Sequence, residues 1–171
     1  LQGEVGVDQL VAGTHGLGID NLLHFYSLEN NEEEKQILAA FETHTKISTH
    51  KVTPYLASAS AGLIKHFTEG YSHGITVTCP GFYGPQGRIL RLPLAMPNLV
   101  DQMSSFRYGK HHIANFEMET SAIYGLCHLL GHQCLSINVI VANRVKKEYS
   151  KDMGKAVNHM IEKSLGILAS I

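Results

Sequence analysis

The sequence predicts an α/β protein, in which β-strands alternate with helices along the chain. Short segments rich in apolar and β-branched residues are followed by segments whose apolar residues recur about every 3.6 positions. The apolar run Leu135 to Ala142 is nearly continuous, which is typical of a strand that helices bury on both faces. We therefore expect a sheet with helices packed on both of its sides.

The predicted strands are separated by glycine, proline and polar residues, which favour turns. The first strand covers residues 10–15, and Gly16 to Gly18 is predicted to be the turn that follows it. Residues 80–97, rich in glycine and proline, are predicted to form a long loop. The remaining strands are predicted at residues 55–59, 73–79, 113–117 and 135–142.

Two helices have clear signals. Asn31 can cap a helix whose apolar residues lie on one side at positions 37, 38 and 41. From Met118 to Leu130 the apolar residues follow the helical period, which stops at Gly131. Further helices are predicted at residues 60–67, 98–106 and 150–171. Since no repeat, low-complexity tract or linker divides the sequence, we expect one domain over residues 1–171.

Composition excludes several classes of protein. The 171 residues carry a net charge of -1 with histidine neutral, which gives no electrostatic reason to expect a nucleic acid or an anionic membrane as partner. No run approaches the roughly 20 apolar residues that span a bilayer, and no signal peptide pattern is visible. A cytoplasmic location is therefore expected. The three cysteines form no CxxC motif and are interpreted as small buried hydrophobic residues.

The segment from Asn115 to Tyr124 places two carboxylates, Glu117 and Glu119, around Met118, where an apolar run changes into a helical pattern. Carboxylates rarely stay buried unless something donates hydrogen bonds to them, so this pair suggests a ligand with hydroxyl groups, such as a ribose. An alternative is an acidic first helical turn that complements the helix dipole.

The loop from Cys79 to Arg88 contains residues suited to a heterocyclic base. Phe82 can stack on the ring, Gln86 offers a donor and an acceptor, and Arg88 offers a fork of donors. A pyrimidine, with adjacent carbonyl and N–H groups, requires that combination. The alternative is a surface turn with scattered polar residues.

These two segments, followed by Asn143-Arg144 at the end of the apolar run, resemble the superfamily of nucleoside phosphorylases and nucleosidases, and within it the uridine phosphorylases most closely. The resemblance covers roughly residues 1 to 150. It implies a central mixed sheet flanked by helices, as a three-layer sandwich. Gly81 and the stretch 84–87 depart from the pattern of some relatives, which have Thr and Pro-Gly-Gln-Glu there.

The resemblance also implies roles for single residues. The base-contacting triplet would be Phe82, Gln86 and Arg88. In the second segment Met118 would form the apolar floor of the sugar and Glu119 would accept hydrogen bonds from the ribose hydroxyls, with Glu117 supporting both. Gln86, Arg88 and Glu119 are therefore the predicted catalytic residues.

Arg144 completes the predicted base site, and Asn143 before it bears on the substrate. Purine nucleoside phosphorylases and related nucleosidases carry an aspartate at this point, which protonates the purine as the glycosidic bond breaks. An asparagine cannot act as that general acid, whereas a pyrimidine leaves as an anion stabilised by donors such as Gln86 and Arg88. A pyrimidine nucleoside is therefore favoured. Arg144 could also be a solvated residue at a strand end.

The activity implied is phosphorolysis of uridine to uracil and ribose 1-phosphate, without an organic cofactor and with inorganic phosphate as co-substrate. The expected assembly is a homo-oligomer built from dimers, and a hexamer is one such arrangement. Three alternatives stay open: a purine nucleoside phosphorylase, a nucleosidase that uses water, and a non-catalytic nucleoside-binding protein.

The start of the sequence bears on this activity. Leu1-Gln2-Gly3 is not preceded by an initiator methionine, and in the family such a stretch follows a strand and a turn that helps to bind phosphate. We therefore expect the sequence to lack the N-terminal part of the domain. Expressed alone, residues 1–171 are expected to aggregate and to lack phosphorolytic activity.

Eleven histidines raise the question of a metal site. His128 and His132 have helical i,i+4 spacing, but Leu129 stands where the HExxH motif requires a glutamate, and Gly131 interrupts the helix between them. No metal site is predicted.

Overall fold

The computed structural model describes residues 5–171 of the chain. The strands are β1 Leu10–Gly18, β2 Tyr55–Ser58, β3 Tyr71–Thr78, β4 Arg107–Tyr108, β5 His111–Glu117, β6 Ile137–Val139, β7 Ala142–Asn143 and β8 Glu148–Tyr149. The α-helices are α1 Glu32–Thr45, α2 Ala61–Ile64, α3 Leu99–Ser105, α4 Thr120–Leu129 and α5 Met153–Leu168. Single turns of 3-10 helix cover Leu22–Phe25, Ile47–His50 and Gly84–Gln86.

The main sheet is mixed and has the order β2-β1-β3-β5-β4, with β6 also paired to β1. β1 runs parallel to β3, and β3 runs parallel to β5, whereas β2 and β6 pair with β1 in the antiparallel sense. The parallel strands β3 and β5 therefore end side by side, with Thr78 aligned to Glu117. This alignment brings their carboxyl ends to one edge of the sheet.

Helices cover both faces of the sheet, so the predicted three-layer α/β arrangement is confirmed. On one face, side chains of α1 and α3 such as Phe41 and Met103 pack with Leu17 and Ile75 in a fully buried cluster. On the other face lies α4, which packs against β1, β2 and β3. These apolar contacts between layers are the main source of stability in such folds.

The predicted turn at Gly16 to Gly18 is wrong, because β1 continues through these residues and pairs there with both β2 and β3. The glycines serve close packing instead of a turn. A β-carbon on Gly16 would lie 2.6 Å from the Ser121 α-carbon, so glycine at this position allows α4 to approach the sheet.

Helix α4 is confirmed, but the apolar residues that indicate it are not the ones that it buries most deeply. Its buried residues are Thr120, Ser121, Tyr124 and Gly125, whereas Ile123 and the end of the apolar stripe are exposed. The face that approaches the sheet is formed by small and hydrogen-bonding residues. Apolar periodicity alone therefore gave the wrong orientation of this helix.

The run Leu135 to Ala142 is not a strand buried on both faces. Within it only β6 joins the main sheet, where it pairs with the first part of β1, and Ala142 begins β7. Residues 135–139 are half-buried, because β6 lies beside β1 only over Leu10 to Ala12 and α5 packs against it. Along α5, Met160 and Ile167 pack on this part of the sheet, while Leu165 and Leu168 are exposed.

The other predicted elements are present with shifted ends. The Asn31 cap is confirmed as a capping box with Glu34, which begins α1 at residue 32. The helix predicted at residues 60–67 is only the single turn α2. Within residues 5–171, no helix combines the length and the apolar character that crossing a membrane requires.

Candidate active site

A cavity of about 370 Å³ opens beside the carboxyl ends of β3 and β5. All seven residues predicted from the sequence to form a site line it: Phe82, Gln86, Arg88, Glu117, Met118, Glu119 and Arg144. They come from three separated parts of the chain, the 80–97 loop, the β5–α4 junction and the segment after β7. The structure therefore brings the three sequence motifs together in one place.

Residues that the sequence analysis did not single out complete the cavity. Asn115 and Phe116 lie on its β5 side, and residues 138–142 form the opposite wall. The contribution of this wall follows from the antiparallel pairing of β6 with β1, which no motif in the sequence indicates.

Glu117 holds the β5–α4 junction in place. Its Oε2 atom accepts hydrogen bonds from the backbone N–H groups of Glu119 and Thr120, at 2.7 and 2.8 Å. Its Oε1 atom accepts one from the Thr78 hydroxyl at 2.7 Å. The alternative interpretation, an acidic group at a helix start, thus applies to Glu117, and the same bonds fix the carboxylate inside the cavity.

Thr78 extends this network into the core and was missed in the sequence analysis. Its hydroxyl oxygen accepts a hydrogen bond from the backbone N–H of Ser121 at 2.8 Å. The Ser121 hydroxyl in turn bonds with the hydroxyl of Tyr55 at 2.8 Å, and burial raises the pKa of that tyrosine. Thr76 and Thr78 are two positions apart and therefore lie on the same side of β3. This spacing of hydroxyl groups within an apolar strand is the sequence signal that could have indicated them.

Glu119 is exposed at the N-cap of α4 and lines the cavity. Desolvation raises the pKa of this carboxyl, and the negative charge of Glu117 raises it further. Two neighbouring carboxylates repel each other when both are ionised. Donors such as hydroxyl groups relieve that repulsion, so this end of the cavity favours a ligand rich in hydroxyls.

Two arginines hold the amide of Gln86, which is buried and also lines the cavity. The Gln86 Oε1 atom accepts from Arg88 Nη1 at 2.7 Å and from Arg144 Nη2 at 3.4 Å. Arg144 also donates to the backbone carbonyl of Gln86. Because Oε1 faces the arginines, the amide NH₂ is the group that Gln86 can present to a ligand.

The aromatic rings of the cavity each contact an arginine. The Arg88 guanidinium lies 3.5 Å from the ring centroid of Phe82, and Arg144 lies 4.7 Å from that of Phe116. From the sequence, the Phe82 ring was expected to stack only on a heterocyclic base. In the structure Arg88 covers one ring face, so a base must use the other face or displace Arg88.

Arg88 and Arg144 bring positive charge to the cavity. Burial, and then the neighbouring charge of Arg88, lower the pKa of Arg144.

Asn143 has a structural role: its amide donates to the Val5 carbonyl at 2.8 Å and accepts from the Lys146 N–H at 3.0 Å. An amide held in this way cannot protonate a leaving base.

A larger cavity of about 790 Å³ also contacts Arg88 and is lined by apolar loop residues such as Leu90 and Leu92 together with Arg91. No carboxylate lines it. We therefore place the candidate site in the smaller cavity, where acidic and basic groups converge.

Among residues 5–171, no group of three or more histidine, cysteine or acidic side chains could hold a metal ion.

Comparisons with known proteins identify the family of this chain. The family model of the phosphorylase superfamily matches residues 3–171. A uridine phosphorylase of Thermococcus kodakarensis is 32% identical over 102 residues, which cover 58% of this chain and 35% of that protein. The predicted resemblance is thus confirmed.

Solved structures share the fold. A Trypanosoma brucei nucleoside phosphorylase that shows uridine phosphorylase activity aligns with a TM-score of 0.89 and 27% identity, over 99% of this chain and 60% of that one. A uridine phosphorylase of Schistosoma mansoni aligns with a TM-score of 0.58 and 16% identity, over 98% of this chain and 55% of that one. The chain spans at most 60% of these relatives. Because the family model matches nearly the whole sequence, the chain belongs to the phosphorylase superfamily.

Proposed function

We propose that the cavity binds a pyrimidine nucleoside and that the protein catalyses phosphorolysis of uridine to uracil and ribose 1-phosphate. The observation that carries this proposal is that acidic and basic groups line one cavity of about 370 Å³. Glu117 and Glu119 line it together with the Gln86 amide, which two arginines hold. A nucleoside has matching groups, with hydroxyls on its sugar and carbonyls on its base.

The same combination of acidic and basic groups suits the reaction. As the glycosidic bond lengthens, positive charge develops on the sugar and negative charge develops on the departing base. The carboxylate of Glu119 stabilises the first, while the Gln86 amide and the Arg88 guanidinium stabilise the second. Donors and charges that are already oriented lower the barrier because they need little reorganisation during the reaction. Inorganic phosphate is the proposed nucleophile, and no organic cofactor is required.

Two relatives support the choice of uridine. The protein from Thermococcus kodakarensis is a uridine phosphorylase, and the one from Trypanosoma brucei shows uridine phosphorylase activity. Within this chain, Asn143 provides no proton donor for a purine, which supports a pyrimidine over a purine. One domain over residues 1–171, a homo-oligomer built from dimers and a cytoplasmic location stay predictions.

The proposal is tested in the full-length protein, because residues 1–171 alone are expected to lack phosphorolytic activity. Base release is measured from uridine, thymidine, inosine and adenosine, each with and without inorganic phosphate. We expect uracil release from uridine that requires phosphate. Equal release without phosphate would identify a nucleosidase, and a preference for inosine or adenosine would identify a purine enzyme.

Binding is measured separately by calorimetry with uridine. Uridine binding without any base release would favour the third alternative, a nucleoside-binding protein. Absence of both binding and release would remove this cavity as a nucleoside site.

A further inference from the structure

Two pairs of side chains join β3 to β5 on the same side of the main sheet. Thr78 is aligned with Glu117 and donates to its carboxylate. Two positions earlier in each strand, Thr76 is aligned with Asn115, and the Thr76 hydroxyl lies 2.9 Å from Asn115 Oδ1. Because side chains two positions apart in a strand point to the same side, Asn115 lies on the side of β5 that carries Glu117.

The direction of the bond between Thr76 and Asn115 decides which end of the amide remains for a ligand. Thr76 is completely buried, and among residues 5–171 its hydroxyl has no other hydrogen-bond partner. If the amide presented its NH₂ group to Thr76, the hydroxyl proton would be buried without an acceptor, which is costly. The hydroxyl therefore donates to Oδ1, and the NH₂ group is the end of the amide that remains.

The NH₂ group of Asn115 is accessible from the cavity described above. Only 6% of Asn115 is exposed, and this residue lines the cavity of about 370 Å³. Within the described residues 5–171, no atom accepts a hydrogen bond from this NH₂ group, and the group is not enclosed in the core. Polar groups at buried positions normally have a partner, so a bound ligand is the partner that this donor can obtain.

A sugar hydroxyl suits this donor. When a hydroxyl donates its proton to a carboxylate, its oxygen keeps two lone pairs that can accept hydrogen bonds. Asn115 supplies a donor for them on the side of β5 that carries the Glu117 carboxylate. In the function proposed above, the carbonyl groups of the base have their donors in Gln86 and Arg88, which belong to a different part of the chain.

We propose that Asn115 donates a hydrogen bond from its NH₂ group to one hydroxyl oxygen of the bound sugar, and that the site thereby selects for that hydroxyl. This inference rests on the proposed function and adds a binding residue to it. The selected hydroxyl has a carboxylate as its acceptor and Asn115 as its donor. A nucleoside that lacks this hydroxyl leaves the NH₂ group unpaired and is therefore a poorer substrate.

The experiment compares uridine with 2′-deoxyuridine, 3′-deoxyuridine and 5′-deoxyuridine in the full-length protein. Asn115→Asp keeps an oxygen for Thr76 but has no NH₂ group, and Asn115→Leu removes the donor without adding a charge. The measured quantity is the ratio of kcat/KM for uridine to kcat/KM for each analogue, from phosphate-dependent release of uracil. In both variants we expect this ratio to fall about tenfold for one analogue, as the loss of one hydrogen bond predicts, and to stay unchanged for the other two.

The ratio has an internal control and a matched variant. Uridine and its analogue are cleaved by the same sample, so the ratio does not depend on the fraction of the protein that is folded. Asn158→Asp adds the same charge as Asn115→Asp at an exposed position of α5. Its ratios should equal those of the wild-type protein.

Other outcomes would overturn the inference. Wild-type ratios for all three analogues, or the same change for all three, would show that Asn115 does not select a sugar hydroxyl. A fall in Asn115→Asp alone would assign the effect to the added charge. Each of these results leaves the proposed function in place, because the wild-type protein still cleaves uridine. A wild-type protein that neither binds nor cleaves uridine would instead remove the proposed function and this inference with it.

Discussion

The Thr78 hydroxyl connects the end of β3 to Glu117 with a hydrogen bond of 2.7 Å. The direction of this bond is determined by a third group. The backbone N–H of Ser121 can only donate to Thr78, so the single hydroxyl proton of Thr78 is directed at the Glu117 carboxylate. Thr78 and Glu117 together therefore fix the start of α4, and with it Met118 and Glu119.

A first prediction follows for stability. Thr78→Val keeps the shape of the side chain but leaves one Glu117 oxygen and the Ser121 N–H without this partner. Hydrogen bonds to charged groups contribute about 2 kcal/mol, so we expect the free energy of unfolding to fall by about that amount in urea titrations. Thr78→Ser, which keeps the hydroxyl, is the control. Equal losses in the two variants would show that the hydroxyl contributes nothing.

A second prediction concerns the base end of the cavity. In the full-length protein, Gln86→Ala or Arg88→Ala should lower kcat/KM for uridine by roughly 2 to 4 kcal/mol of transition-state stabilisation, comparable to the loss of an oxyanion donor. Arg91→Ala is the matched control, because this substitution removes the same charge from the neighbouring apolar cavity. Unchanged kinetics for both site variants would exclude the loop from the active site.

A third prediction concerns the sugar end. If Glu119 accepts hydrogen bonds from ribose hydroxyls, Glu119→Gln should weaken the reaction of uridine more than that of 2′,3′-dideoxyuridine, which has no such hydroxyls. Steady-state kinetics on the two nucleosides measure the difference. Parallel losses on both would assign Glu119 a structural role at the start of α4.

A fourth prediction concerns acid stability and His15, which is buried and packs edge-on against His111 at 5.3 Å. Burial, and then the charge of His111, lower the pKa of His15 from 6.5 to about 4, against the opposing influence of Glu33 and Glu34. Between these pH values the unfolded state binds the proton more readily than the folded state. Stability should therefore fall as the pH drops from about 6.5 to 4, by about 3 kcal/mol in total.

Urea titrations at several pH values measure this loss. His15→Gln should reduce the pH dependence in that window, whereas His50→Gln should leave it intact because His50 is exposed. A wild-type stability that does not change between pH 6.5 and 4, or a loss that persists in full in His15→Gln, would contradict the prediction.

Local sequence patterns were enough to predict the fold class, the family and seven of the residues that line the cavity. These features depend on local patterns: the period of α1, the Asn31 cap, and three motifs whose order along the chain is distinctive. The alignment of β3 with β5 then places the loop from Cys79 to Arg88 beside the Glu117 segment. The order of the motifs along the chain therefore predicted that they meet in one site, which no single motif could predict.

The tertiary structure decided which faces are buried and how the site residues bond to each other. Glycine at position 16 indicated a turn in the sequence, but pairing on both sides kept β1 extended and used the glycine for close contact with Ser121. The run Leu135 to Ala142 indicated a central strand, but only Ile137–Val139 pairs within the main sheet. Arg88 covers Phe82 because the loop folds back through Gly87 at φ 74°. In each case the deciding contacts join residues far apart in the chain or depend on the loop conformation, and apolar periodicity carries no information about either.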